Sequence, residues 1–254
     1  SVKIIAFHNL KGGVGKTAAA SNIAALAAES GIPTLLWDLD PQGAVSWYFG
    51  NTGDGDARVP KAGKLVKGKT PIGKTIVPTG IDNLDLIPAD VSFRNIDLQL
   101  EKHGDRNTLA DWLEPLGEDY GLVVLDCPPS LSRLAEQVFR VSDRVLVPLV
   151  PTWLSLNSWH QMQAFIADKK VDRRKFYPFW TMVDRRKRLH RQLLEQPPKE
   201  LEQLMPGYIP YASDVERMGE LRQPVHWFAP RSPAALAYRL LWRSLSKGKR
   251  SLDL

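Results

Sequence analysis

Short apolar runs alternate with longer amphipathic ones along this chain. A run that is apolar at consecutive positions, such as Leu122-Val123-Val124-Leu125, predicts a strand covered on both faces. On this pattern strands are expected at residues 3–9, 34–38, 84–87, 122–126, 145–150, 176–183 and 208–210. Helices are expected at 16–30, 109–116, 131–141, 157–168, 189–204, 215–221 and 233–245. Such alternation predicts an α/β fold, a doubly wound and mostly parallel sheet flanked by helices. No internal repeat or second boundary breaks the pattern, so residues 1–254 are expected to form a single domain. Residues 51–80, rich in Gly, Lys and Pro, read as a mobile insertion over the sheet edge. In the last helix Leu236, Leu240, Leu241 and Leu245 are expected to form the core stripe. Trp153, Trp159 and Trp227 are expected to be core as well, with interface anchors as the alternative.

Composition narrows the chemistry. With Cys127 as the lone cysteine, a disulfide framework, a Cys-rich metal site and an iron–sulfur cluster are excluded. Cys127 itself reads as a small buried residue rather than a nucleophile. No apolar run approaches the ~20 residues needed to span a bilayer. The chain begins in a strand, from which no secretory leader and a cytoplasmic location are expected. The net charge of +6 is unevenly placed. Residues 58–74 hold six basic side chains and no acid, and residues 169–191 hold ten basic and two acidic ones. Such concentration points to a polyanion partner, or else to two solvated faces.

The chemistry is concentrated in three stretches. Lys11-Gly12-Gly13-Val14-Gly15-Lys16-Thr17 stands between the first strand and the first helix, the context in which a glycine loop cradles phosphate. Backbone amides from Gly12 to Ala18 would close on phosphate oxygens. Lys16 would reach the terminal phosphates and Thr17 would stand on Mg²⁺. The usual first glycine of the pattern is Leu10 here, followed by a second lysine, Lys11. The second strand ends in Asp38-Leu39-Asp40-Pro41-Gln42-Gly43, at the edge where open α/β sheets bind ligands. One of these carboxylates can support the metal and the other can orient an attacking water, although Asp-Pro is also ordinary turn chemistry. The third stretch, Leu122–Asp126 followed by Cys127-Pro128-Pro129-Ser130, reads as Walker B, with Asp126 holding Mg²⁺ through water.

The Lys11 loop, the Asp-Leu-Asp-Pro-Gln-Gly segment and the Asp126 segment, in this order, resemble the ParA/MinD family of deviant Walker A P-loop ATPases. The ParA/Soj-like branch is the nearer one. Leu86-Ile87-Pro88-Ala89 and Ser232-Pro233-Ala234-Ala235 add weaker similarity. The resemblance implies ATP and Mg²⁺ as cofactors and a homodimer formed with ATP, in which Lys11 reaches the partner's nucleotide. It implies that Asp40 positions the water, that Asp38 lies nearer the metal, and that Cys127–Ser130 senses the γ-phosphate. Adenine is expected near Pro210 and the 182–184 strand end. It further implies slow hydrolysis stimulated by a ParB-like or cargo-adaptor protein, non-specific DNA binding and nucleoid association, with a plasmid, chromosome or protein assembly as cargo. The family's usual Pro-Arg-Asn after the last strand is absent, because Tyr211-Ala212-Ser213-Asp214 follows Pro210. Lys187, Arg188, Arg191, Arg217 and Arg222 are the replacement candidates for DNA contact. A MinD-like membrane-surface ATPase is the alternative, although only Leu252 and Leu254 follow the last helix as apolar anchors. An amide-forming synthetase sharing the loop is a third reading.

Overall fold

The computed structural model describes residues 1–49, 60–248 and 251–254. Eight strands form one sheet among them: β1 (Lys3–Phe7), β2 (Thr34–Asp38), β3 (Val77–Pro78), β4 (Leu84–Ile87), β5 (Leu122–Asp126), β6 (Arg144–Leu149), β7 (Phe176–Val183) and β8 (Tyr208–Pro210). Their order is β3-β4-β2-β5-β1-β6-β7-β8, and every pair is parallel except β3 with β4. The helices are α1 (Lys16–Glu29), α2 (Ala44–Tyr48), α3 (Ala62–Val66), α4 (Ile96–His103), α5 (Thr108–Leu113), α6 (Arg133–Val141), α7 (Trp153–Asp168), α8 (Arg188–Glu195), α9 (Ser213–Leu221), α10 (Val225–Phe228) and α11 (Pro233–Lys247).

Strand periodicity sorts the core into two layers. Ile5, Phe7, Leu36, Val124 and Leu146 face one side, under α1, α9, α10 and α11. Ala6, Leu35, Trp37, Val123 and Val147 face the other, under α3 to α8. The alanines of α1 are buried almost all round, which lets the helix lie close to the central strands and fixes the loop that precedes it.

Several expectations are corrected. Of the anticipated insertion, residues 51–59 lie outside the described residues. Residues 60–80 form α3, a 3-10 turn at Ile72–Thr75 and the antiparallel edge strand β3. Leu65, Val66 and Ile72 enter the core there. The helix anticipated at 189–204 stops at Glu195, because Pro197 and Pro198 cannot continue the hydrogen-bond ladder. In α11 the buried stripe is Ala234, Ala235, Tyr238, Leu241 and Leu245, whereas Leu236 and Leu240 are 56 % and 41 % exposed. Trp159 is core, but Trp153 and Trp227 stand on the surface. Part of the basic 169–191 run is structural. Lys175 Nζ donates to the Phe139 and Arg140 carbonyls at the end of α6, at 3.3 and 2.7 Å.

Candidate nucleotide-binding site

Strand register assembles the site. Phe7 and Asp38 both lie opposite Asp126, on its two neighbouring strands, so the carboxyl ends of β1, β2 and β5 coincide. The chain leaving β1 runs through the glycine loop into α1. Gly13 and Gly15 hold φ of +70° and +77°, backbone that favours glycine, and a Cβ at Gly15 would stand 3.2 Å from Thr181 Oγ1. Asn9 braces the loop: its Oδ1 accepts from Lys11 N at 2.8 Å and its amide nitrogen donates to the Pro148 carbonyl.

Lys16 is buried, with Nζ 2.5 Å from Asp126 Oδ1. The Thr17 hydroxyl donates to Asp126 Oδ2 at 3.0 Å. Burial lowers the Lys16 ammonium and raises the Asp126 carboxyl, each opposing the pair. The contact itself prevails at Lys16, which the Asp126 charge and hydrogen bond hold above the usual lysine range. The hydroxyl of Thr17 and the carboxylate of Asp126 are the hard oxygen donors Mg²⁺ prefers, and they lie beside the phosphate loop. Among the described residues no three His, Cys, Asp or Glu side chains are grouped so as to hold a metal ion by themselves.

Asp38 is committed to the segment that follows it. Its Oδ1 accepts from Asp40 N at 3.2 Å, and its Oδ2 accepts from Ser46 N and Oγ at 3.0 and 2.9 Å. Ser46 Oγ in turn accepts from Ala89 N at 2.9 Å. Burial, and the neighbouring Asp126, push Asp38 up to about 7 against the pull of Ser46 and Lys16. Asp40 is half-buried, accepts from Gln42 N at 3.0 Å and lines the cavity above the loop. Cys127 is buried and its thiol is pushed up by that burial, as befits an inert side chain.

The cavity holds about 530 Å³, within the range of small-molecule sites. Lys11 to Ala18 line one end; Met182, Ile209, Pro210, Ala212 and Val215 line the apolar other. Pro210 and Met182, two of the residues expected near adenine, line this cavity, while Asp184 is turned to the Arg186 side chain, 2.9 Å away. Met182 has φ +51°, at the irregularity in the β7–β8 ladder, which is strained backbone facing the cavity. Sequence reasoning missed Tyr48, Thr181 and Tyr211 in the lining, and Asn9 and Ser46 behind it.

The DNA candidates do not form one surface of free cations. Lys187 and Arg188 are exposed at the start of α8, and Arg191 donates to the Arg185 carbonyl at 2.5 Å. Arg217 faces Asp214 at 3.7 Å and lies over the Phe228 ring. Arg222 stacks 4.5 Å from the Trp47 ring centroid and donates to the Trp47 carbonyl at 3.0 Å. Arg239, Arg243 and Lys247, none of them among the DNA candidates, are exposed along α11 at one-turn spacing.

Residues 2–175 match the AAA_31 family model, an AAA domain. The chain is 34 % identical over 171 residues to the chromosome partitioning protein ParA of Caulobacter vibrioides strain NA1000 / CB15N, a match covering 65 % of this chain and 62 % of that protein. It thus spans under two thirds of that relative's length. The structure of a putative plasmid partition protein, BB_S35, from Borrelia burgdorferi B31 bound to AMPPNP superposes with a TM-score of 0.80 at 24 % identity, covering 95 % of this chain and 97 % of that one. Cobyrinic acid a,c-diamide synthase from Mycobacterium smegmatis, with bound ATP analog and magnesium, superposes with a TM-score of 0.80 at 26 % identity, covering 99 % and 98 %. With the family model spanning more than half its length, the phosphate loop and Asp40 lining one cavity, and Asp126 bonded to Lys16 and Thr17 of that loop, this chain belongs to the AAA_31 family, in its ParA/MinD group.

Proposed function

We propose that the protein is a Mg²⁺-dependent ATPase whose nucleotide state switches it between a monomer and a homodimer, and that the dimer binds DNA without sequence preference to position a cargo. The observation that carries this reading is that Lys16 and Thr17, both bonded to the buried Asp126, line a cavity of about 530 Å³ together with Lys11. Lys16 and the loop amides bind the phosphates. Thr17 and Asp126 hold Mg²⁺, which when bound neutralises charge on the phosphates. Asp40 orients water. The second lysine, Lys11, serves the partner's nucleotide.

Support for the dimer comes from the surface around Lys11. Through Asn9, the Lys11 backbone is tied to Pro148 on β6, and the β6–α7 junction presents Trp153 and Leu154, 62 % and 57 % exposed. Large apolar side chains this exposed beside a site suit a protein partner. Support for a polyanion comes from the Arg239–Arg243–Lys247 stripe and the exposed Lys187 and Arg188. A ParB-like or cargo-adaptor protein that stimulates hydrolysis belongs to the same reading, as does nucleoid association. The membrane-surface alternative draws on one observation, the exposed Leu236 and Leu240 beside that basic stripe. No helix of the described residues is long and apolar enough to cross a membrane. Co-sedimentation with plasmid DNA or with anionic vesicles, each with and without Mg²⁺-ATP, decides between them. ATP-dependent DNA pelleting that fades with salt is expected. Vesicle pelleting alone would overturn the DNA reading, and ATP binding left unchanged by Lys16→Ala would overturn the site.

A further inference from the structure

Three consecutive residues at the exit of β1 hold the loops around the phosphate site. The Phe7 carbonyl accepts from Cys127 N at 3.2 Å, and Asn9 braces Lys11 against β6. Between them, His8 N donates to the Leu146 carbonyl at 3.1 Å. The His8 imidazole is fully buried and meets Phe139 edge to face, with ring centroids 5.0 Å apart. Its Nε2 lies 2.8 Å from the Ser130 carbonyl oxygen. A carbonyl can only accept, so Nε2 carries the proton. Nδ1 is then a bare acceptor, buried and without a hydrogen-bond partner in the structure.

Packing alone gives no reason for such a ring. A leucine or phenylalanine fills similar space without stranding a polar atom. What the imidazole adds is one donor, and its acceptor lies on the loop that leaves β5. That loop has few bonds of its own, because Pro128 and Pro129 lack N–H groups. Ser130 N turns back to the Pro128 carbonyl at 2.9 Å. Phe7 holds the start of the loop and His8 holds its end, while Pro129 lines the cavity. Burial, against the Ser130 hydrogen bond and with the Lys16 charge, lowers His8 to about 4, so the ring is neutral near pH 7.

We propose that His8 is a positioning residue for ATP hydrolysis: through its Nε2–H bond to the Ser130 carbonyl it sets the 127–130 loop against the phosphate loop. This rests on the nucleotide reading given above. The residue binds no nucleotide itself, so its removal disturbs turnover and leaves affinity intact.

Three substitutions separate positioning from packing. His8→Gln places an amide donor where imidazole Nε2 stands. His8→Asn reaches only the position of Nδ1, and His8→Leu supplies no donor. Three measurements are made on each: affinity for a fluorescent ATP analogue, kcat and KM for ATP, and amide hydrogen exchange of peptides covering residues 127–131. In His8→Leu and His8→Asn, affinity and KM stay within about twofold while kcat falls about tenfold, as expected for one lost charge-neutral hydrogen bond acting on geometry. Exchange accelerates in 127–131 and not in β1 or β5. His8→Gln recovers kcat to within about threefold of the unmodified protein. Unchanged kcat in His8→Leu overturns the proposal. So does equal failure of the Gln and Asn variants with exchange rising throughout the sheet, the signature of packing. Should His8→Leu fail to fold, the two amide variants alone carry the comparison. Failure of the unmodified protein to bind the analogue would instead overturn the nucleotide reading.

Discussion

Replacing Asp38 with asparagine tests the electrostatics of the site. The carboxyl is pushed up to about 7 from 3.8, by burial first and by the adjacent Asp126 second. A carboxyl raised in the folded state contributes stability that is full below its unfolded value and is lost as pH rises through its folded value. The metal-free protein should therefore lose stability between about pH 4 and pH 7. A tenfold change in proton affinity is worth about 1.4 kcal/mol, so titration between pH 5 and pH 7 is worth about 2–3 kcal/mol. Asparagine has the shape of the neutral acid; its oxygen keeps Ser46, and its amide nitrogen gives up the bond from the Asp40 amide. Whatever separates asparagine from a neutral aspartic acid is the same at every pH. The informative quantity is thus the widening of the stability gap in favour of Asp38→Asn as pH rises. Urea unfolding in EDTA without nucleotide, at unit steps from pH 5 to pH 8, measures it. A gap that stays flat or narrows would refute the claim that Asp38 and Asp126 repel one another in a buried setting.

Three further outcomes follow from the geometry. Lys11→Ala should bind ATP with near-normal affinity but remain monomeric by light scattering, since Lys11 is braced through its backbone and, in the proposed reading, its side chain serves the partner. Asp40→Ala should keep nucleotide affinity and lower kcat at least tenfold, leaving the ATP-bound form on DNA in pelleting assays; normal turnover would remove Asp40 from the water-positioning role. Reversing Arg239 and Arg243 to glutamate should weaken DNA binding and flatten its salt dependence, by about one unit of logarithmic slope for each phosphate contact removed, without altering ATP turnover by the free protein. An unchanged slope would move the DNA surface elsewhere.

The sheet and the phosphate loop were legible because their physics is local. Short runs rich in Val, Leu and Ile between turn residues favour a covered strand, whereas the alanine-rich run of α1 favours a helix, and glycines before Lys-Thr have few other uses between strand and helix. The carboxylates at the ends of β2 and β5 were legible for the same reason. Their direct adjacency was not, because it depends on strand order, which no short window contains. His8, Asn9 and Ser46 act on backbone groups far away in the chain, Ser130, Pro148 and Ala89, and leave no spacing to read. The end of α8 was legible and was missed: Pro197-Pro198 forbids the longer helix. The exposed Trp153, Leu236 and Leu240 show the converse limit. Hydrophobicity predicts that a residue will be covered, and among the described residues nothing covers these three side chains fully.

The same register that builds the site also works against the fold. Pairing β2 with β5 places Asp38 and Asp126 side by side with both strand faces buried, and Lys16 is the cation that meets them. Two carboxylates and one ammonium in a buried pocket leave an excess of negative charge that burial makes expensive. The protein limits that cost in two ways, by letting Asp38 take up a proton near neutrality and by spreading its charge over Ser46 and the Asp40 amide. A divalent cation held by Thr17 and Asp126 would relieve it more fully, by adding positive charge beside both carboxylates. Stability given up at Asp38 would then be recovered on loading. A group placed for packing alone would show no such dependence. Removing Asp38's charge should make the metal-free protein more stable and its response to Mg²⁺-nucleotide smaller, read as a reduced rise in melting temperature on loading.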